Sequence, residues 1–348
     1  MSPSRYLPAE WASQSGVMLT WPHADSDWGP FLREVEAVYR HLAKAITRFE
    51  RLLIICQNEA HKTHVSHLLS RENIAAGRVQ FCIQPANDTW VRDYGPICVL
   101  HNGRPRLLDF RFNGWGNKYP HERDDLIAQG LHAQGAFGDI ELETHDLVLE
   151  GGSIDSDGRG TLLTTTACLL NPNRNPVKSQ AGIERLLKQT LGVSRFLWVS
   201  QGWLAGDDTD GHIDMLARFC DTHTIACSSC DDAEDEHHRP LGALRDELGQ
   251  FRDASGEPYR IVELPIPQAI YDSSGQRLPA SYANFLVINQ AVLVPQYHDP
   301  HDKLARERLQ ACFPEREIIG IDCRPLIRQY GSLHCISMQL PSGVLAPI

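Results

Sequence analysis

The sequence predicts a mixed α/β fold gathered into one compact domain. Three observations predict it. Amphipathic helical patterns alternate with short apolar strands along the chain. The last four helical patterns begin at intervals of about 55 to 62 residues, the spacing of a supersecondary unit used several times. No low-complexity linker separates two halves, although 348 residues at about 150 per domain would allow two domains. A doubly wound sheet shows the same alternation, so periodicity leaves that choice open.

The elements follow in order. Leu32, Val35, Val38, Leu42, Ile46 and Phe49 recur at three- and four-residue spacing and predict a helix over residues 31–49, started by Gly29-Pro30. An apolar strand over 51–56 precedes a helix over 59–70 and a strand over 79–84. Further helices are predicted near 123–134, 178–192, 240–251 and 302–312, the last opened by Pro300 with an acidic first turn. Strands over 195–199, 259–264 and 316–319 follow three of them. Additional strands are expected at 107–112, 147–149, 161–165, 213–219 and 285–288. The dense charge run at 231–238 reads as a solvated loop.

Composition narrows the function. Lys and Arg number 33 against 44 Asp and Glu, a net charge of −11. That argues against nucleic acid as a partner, which needs a basic face, and fits a small cationic substrate. No run of about 18 apolar residues is present, so no membrane span is expected. The stretch from Met1 to Trp11 lacks the apolar segment of an export signal. A cytoplasmic protein is expected, with its ten cysteines reduced. Nine read as structural thiols, and one is expected to differ.

Four segments break the ordinary pattern. Residues 87–96, Asn-Asp-Thr-Trp-Val-Arg-Asp-Tyr-Gly-Pro, follow an apolar strand and read as a polar turn or a site loop. Glu150-Gly151-Gly152 puts a carboxylate before two glycines, either a bulge or a place where the backbone approaches something closely. Residues 206–214 are dense in acids, and His212 and Asp214 would share one face of a strand. An EF-hand is excluded there by ligand spacing and the missing glutamate. The fourth segment holds Gly331 and Cys335. Cys335 reads as a buried thiol or as a nucleophile at a strand start, with His212 as its base. His334 would then point to the opposite face. Cys227 and Cys230 form the one CxxC, without a second pair for zinc or a thioredoxin-like context. No Walker loop or GxGxxG fingerprint is present.

Taken together, these segments resemble the agmatine deiminase family of guanidine-modifying enzymes, including bacterial peptidyl-arginine-deiminase-like proteins. The resemblance runs from Pro8-Ala9-Glu10-Trp11 and Ser15–Pro22 through residues 87–96, Phe112-Asn113-Gly114-Trp115-Gly116 and Glu150-Gly151-Gly152. It continues through residues 171–176, Gly211-His212-Ile213-Asp214 and His334-Cys335-Ile336. It implies one domain over residues 1–348, a five-bladed α/β propeller of ββαβ units with about 70 residues each. It also implies hydrolysis of a guanidinium to a ureido group with release of ammonia, and no cofactor or metal. The expected substrate is agmatine, giving N-carbamoylputrescine for putrescine and polyamine biosynthesis; the alternative is arginine within a peptide.

By the same resemblance, Asp93 and Asp214 grip the planar guanidinium fork. Cys335 attacks its carbon, His212 moves protons, and Glu150 orients His212. Trp90 packs on the substrate, and Asp88, Asp208, Trp115 and Gly331 are candidates for the remaining contacts. Residues 329–332, Leu333 and Met338 depart from the family pattern beside the nucleophile. The sequence leaves a homo-oligomer open.

Overall fold

In a computed structural model, residues 5–75 and 77–345 are described. The first four residues of the stretch read for an export signal lie outside them. The described residues form five separate sheets of three or four strands, and none of these closes on itself. The same local order builds each one: an antiparallel pair, a crossover helix, and a third strand parallel to the second. Strands Ala217–Asp221 and Thr224–Ser229 pair antiparallel, helix His238–Gln250 crosses over, and Arg260–Pro265 returns parallel to the second strand. Strands Leu286–Ile288 and Ala291–Gln296, helix His301–Cys312 and strand Glu317–Asp322 repeat it. Strands Ile154–Ser156 and Thr161–Thr165, helix Gln180–Leu191 and strand Arg195–Val199 repeat it again. Strands Ile97–His101, Arg104–Arg111 and Leu142–Val148 form a fourth set, crossed by Ile127–Ala133.

The fifth set joins the two extremes of the chain. Strand Met338–Pro341 pairs antiparallel with Gln14–Thr20, which pairs parallel with Arg51–Cys56 across helix Leu32–Ile46. Strand Val79–Ile83 adds a further parallel partner. In every set the middle strand has partners on both edges, and those buried on both faces, such as Ala291–Gln296, read as nearly unbroken apolar runs. Helix Leu32–Ile46 lays Val35, Val38, Tyr39, Leu42 and Ile46 into the core, each aliphatic side chain contributing about 1.5 to 3 kcal/mol by burial.

The expected helices all form, within a few residues of their predicted bounds. Two strand assignments are corrected. Residues 213–219 do not run as one strand: Ile213–Leu216 is a helical turn and the strand begins at Ala217. The acids before it force this, because Asp207 accepts from Gly211 N and Thr209 Oγ1, and Thr209 Oγ1 accepts from His212 N, winding the chain into a turn. Cys335 likewise does not open a strand. Ile336 N donates to Ser332 O and Ser337 N to His334 O, so the nucleophile candidate sits in a turn, and the strand begins at Met338. Among the described residues, no helix is long and apolar enough to cross a membrane.

Candidate active site

Each set's antiparallel pair is led in by a tight turn, and the five lead-ins converge. They carry Asp93 on helix Val91–Tyr94, Glu150 before the turn Gly151–Ser153, Asp214 on Ile213–Leu216, Asn284 before Leu286, and Cys335 before Met338. Gly152 N donates to Asp93 Oδ1 at 2.9 Å. Arg92 N donates to Cys335 O at 3.2 Å. Asn284 Nδ2 donates to Cys335 Sγ at 3.3 Å, and its Oδ1 accepts from His334 N at 2.9 Å.

The two glycines after Glu150 are explained by crowding. A Cβ on Gly152 would lie 2.6 Å from His212 Nδ1, 2.8 Å from Asp93 Oδ1 and 3.0 Å from Asp214 Oδ2. Only a hydrogen there lets the histidine and both carboxylates close on one point. His212 and Asp214 reach it from the start of a helical turn, not from one strand face.

The electrostatics sort the groups. Burial alone would strip the proton from His212. Asp93, Cys168 and Glu150 outweigh it and hold the imidazole pKa well above its ordinary value. Glu150 Oε2 lies 2.8 Å from His212 Nε2, and Arg174 Nε donates to both Glu150 oxygens at 2.9 Å. Those contacts hold Glu150 below the usual carboxylate range against its burial. Desolvation pushes Asp93 up to about 6, although His212 pulls the other way. Burial, then Asp214 and Asp93, push the Cys335 thiol well above 9.0. The unliganded site therefore holds a thiol, an imidazolium and closely spaced acids.

A cleft of about 500 Å³ opens over this point. Asp93, Asp214, His212 and Cys335 line its floor, and Trp90, Trp115 and Gly331 its walls. Trp115 Nε1 donates to Asp93 Oδ2 at 3.0 Å. Gly331 lies flat on the Trp90 ring, where any Cβ would strike it. The cleft also takes in Asp88 and Asp208. Burial pushes Asp88 up to about 6 against donors from Thr89 and Trp28. Asp208 accepts from Tyr119 Oη at 2.7 Å. Asp214 Oδ1 is buried with no hydrogen-bond partner among the described residues.

All ten candidate residues thus come together, nine lining the cleft and Glu150 standing behind His212. The sequence reading missed Asn284, Arg174, Tyr119 and Asp27. Asn284 had a signal: it precedes strand Leu286–Ile288 as Asp214 precedes Ala217–Asp221 and Cys335 precedes Met338–Pro341. Glu150, Cys168 and His212 also form a cluster with metal-ligand donors. Arg174 already occupies both Glu150 oxygens there, so its guanidinium would oppose a dication at that spot.

Known proteins resemble this chain over nearly its whole length. The family model described as Porphyromonas-type peptidyl-arginine deiminase matches residues 6–341. Agmatine deiminase of Pseudomonas aeruginosa is 33% identical, covering 97% of this chain and 95% of its own. A solved Porphyromonas gingivalis protein with a provisional arginine deiminase assignment is 49% identical, with TM-score 0.92 over 98% of this chain and 100% of its own. A cysteine-to-serine variant of C. jejuni agmatine deiminase with substrate bound is 39% identical, with TM-score 0.90 over 98% and 97%. With these relatives, the mixed α/β fold and its cleft define a hydrolase acting on guanidino C–N bonds. The chain belongs to the Porphyromonas-type peptidyl-arginine deiminase family.

Proposed function

We propose that this chain is a cytoplasmic agmatine deiminase, converting agmatine and water to N-carbamoylputrescine and ammonia on a route to putrescine. The observation that carries the reading is Asp214 Oδ1, a buried carboxylate oxygen without a partner in a cleft that also holds Asp93 and Cys335. An uncompensated buried acceptor costs free energy that a cationic N–H donor would return. The acids at Asp27, Asp88 and Asp208 in the same cleft suit the second cation of agmatine. Arginine within a peptide has no ammonium to place there. Ten unpaired cysteines suit a reducing compartment. The five repeated sets support an arrangement around a pseudo-fivefold axis, the five-bladed propeller expected of the family.

The reaction follows from the protonation states. Asp93 and Asp214 take the N–H donors of the guanidinium, whose charge favours the Cys335 thiolate. Cys335 Sγ gives up its proton to solvent as the cation binds beside it, and Asp93 and Asp214 stay ionised against the guanidinium. Cys335 Sγ bonds to the guanidinium carbon. The imidazolium of His212 gives its proton to the departing nitrogen as the C–N bond breaks, releasing ammonia. The neutral His212 then takes a proton from water, whose oxygen bonds to the carbon of the amidino-thioether. The C–S bond breaks, the proton of the added hydroxyl passes to the Cys335 thiolate as the ureido carbonyl forms, and the product leaves. Glu150 and Arg174 hold His212 in line. Trp90 packs on the substrate's flat face or its stem.

The test is ammonia release from agmatine, free arginine and a peptidyl-arginine, measured side by side. Agmatine is expected to be turned over fastest. A faster peptidyl-arginine reaction overturns the substrate, and no release from any of them overturns the activity.

A further inference from the structure

His334 is buried and stands directly before the nucleophile, yet the reaction above gives it no task. Its ring nitrogens both face carboxylates. Nδ1 lies 2.7 Å from Asp214 Oδ2, and Nε2 lies 2.7 Å from Glu10 Oε1. Two contacts of that length between acceptor oxygens and an imidazole need one proton each. Asp214, His334 and Glu10 therefore share two protons. Burial, Arg218 and Arg92 pull the ring's pKa down, yet a neutral ring between two ionised carboxylates would turn a lone pair toward one of them, so the two short contacts keep the second proton within the chain of three.

The surroundings are built around this chain of three. Glu10 also accepts from Arg218 and, at 2.9 Å, from Gln339 Nε2, with Arg92 Nη1 at 3.5 Å from its other oxygen. Arg218 reaches Asp155 Oδ2 at 3.3 Å. The groups facing His334 are thus Asp214 from its helical turn, Glu10 from the N-terminal segment, Arg218 from its strand and Arg92 from Val91–Tyr94. Asn284 and the Cys335 thiol stand beside them. Glu10, Arg92 and Gln339 also line a second cavity of about 610 Å³, away from the cleft acids Asp88 and Asp208. The Asp214 side chain is 0% exposed and that of Glu10 is 16% exposed. The three groups thus run from the reacting floor to a solvent-reachable end.

We propose that His334 is a positioning residue for Asp214: it occupies Oδ2 with a bound proton, leaves Oδ1 to the guanidinium, and is held in that state by Glu10. This deepens the deiminase reading and rests on it. Without His334, Oδ2 would have no donor from the ring, the carboxylate could rotate, and the thiol would face a more basic acid. The fixed Oδ2 contact explains why one oxygen of a fully buried carboxylate is free while the other is not.

The test compares full-length wild type, His334→Asn, His334→Ala and Glu10→Gln. Asparagine keeps an amide N–H toward Asp214 without the ring's second contact to Glu10. One readout is kcat and KM for agmatine across pH, and the other is methylguanidine binding by calorimetry. Methylguanidine probes the guanidinium floor without an amine and without turnover. Removing the His334 donor is expected to lower kcat/KM by about 10- to 100-fold, with His334→Asn recovering a large part. Because His334 holds Asp214 ionised against its burial, its loss lets burial raise Asp214 toward Asp93, so the acidic fall of kcat/KM and of methylguanidine affinity becomes steeper and begins at higher pH. The order is wild type, His334→Asn, His334→Ala, with Glu10→Gln shifted the same way as His334→Asn. If His334→Ala fails to fold, the His334→Asn and Glu10→Gln shifts decide. A uniform loss with unmoved limbs overturns the proposal, as does wild-type behaviour in the variants. Methylguanidine bound by wild type without turnover of agmatine sinks the substrate assignment and leaves the His334 comparison readable. No guanidinium binding by wild type sinks both.

Discussion

His212 Nε2 and Glu150 Oε2 lie 2.8 Å apart, with Arg174 closing the far side of the same carboxylate. This makes Glu150 a fixed charge behind a mobile proton. Glu150→Gln keeps an oxygen near the ring and removes that charge. The expected result is a fall in kcat of about 10- to 100-fold with KM nearly unchanged. His212 would lose its proton more readily, so the alkaline limb of the rate profile moves to lower pH. Steady-state kinetics across pH measures both; a larger effect on KM than on kcat would assign Glu150 to substrate binding instead.

Acidity should switch the enzyme off through Asp93. Its carboxyl is pushed up to about 6 by burial, and only the ionised form grips a guanidinium. Protonation below that value removes the contact, so kcat/KM is expected to fall as pH drops through about 6. The bound cation favours the ionised acid, so the matching limb of kcat lies at lower pH. Coincident limbs in the two profiles would mean that a group outside substrate contact is titrating.

Asn284 should tune the nucleophile. Its amide hydrogen bond to Sγ opposes the upward push on the Cys335 thiol. Asn284→Ala therefore leaves less thiolate at a given pH. Slower alkylation of Cys335 by iodoacetamide, followed by peptide mass spectrometry, is the expected outcome. An unchanged rate would reduce Asn284 to a brace for the turn.

Asp208 should discriminate by the substrate's far end. Asp208→Asn is expected to raise KM for agmatine by about tenfold or more, the worth of one hydrogen bond to a charged group. Butylguanidine, which lacks the amine, should bind both proteins alike. Equal losses for both ligands would place Asp208 in loop support rather than in recognition.

The helices were legible because each carries an apolar stripe, as Val35, Val38, Leu42 and Ile46 show. The reacting residues were legible as types in order. Their geometry was not. Alternation suggested a strand through His212 and Asp214, and the hydrogen bonds of Asp207 and Thr209 wind it into a turn instead. The same error turned His334 away from the site. A strand would have set it opposite Cys335, whereas the turn at Ser332–Ser337 brings it onto Asp214. Asn284 sits among apolar residues without a motif, and only the repeated position before a first strand marks it. Gly152 showed that something came close; which three groups converge there needed coordinates.

Strand Met338–Pro341, just after Cys335, is zipped onto Gln14–Thr20, and Ser15 Oγ donates to Leu340 O across 325 positions of sequence. Contacts so distant along the chain form late in folding, after nearer pairs have closed. During synthesis, the earlier sets can be complete while the cleft still has no thiol. A nascent or C-terminally clipped chain is then chemically silent, however well the rest has folded. Reactivity is interlocked with closure of that sheet: the sulfur is seated by a strand whose partner lies more than three hundred residues earlier.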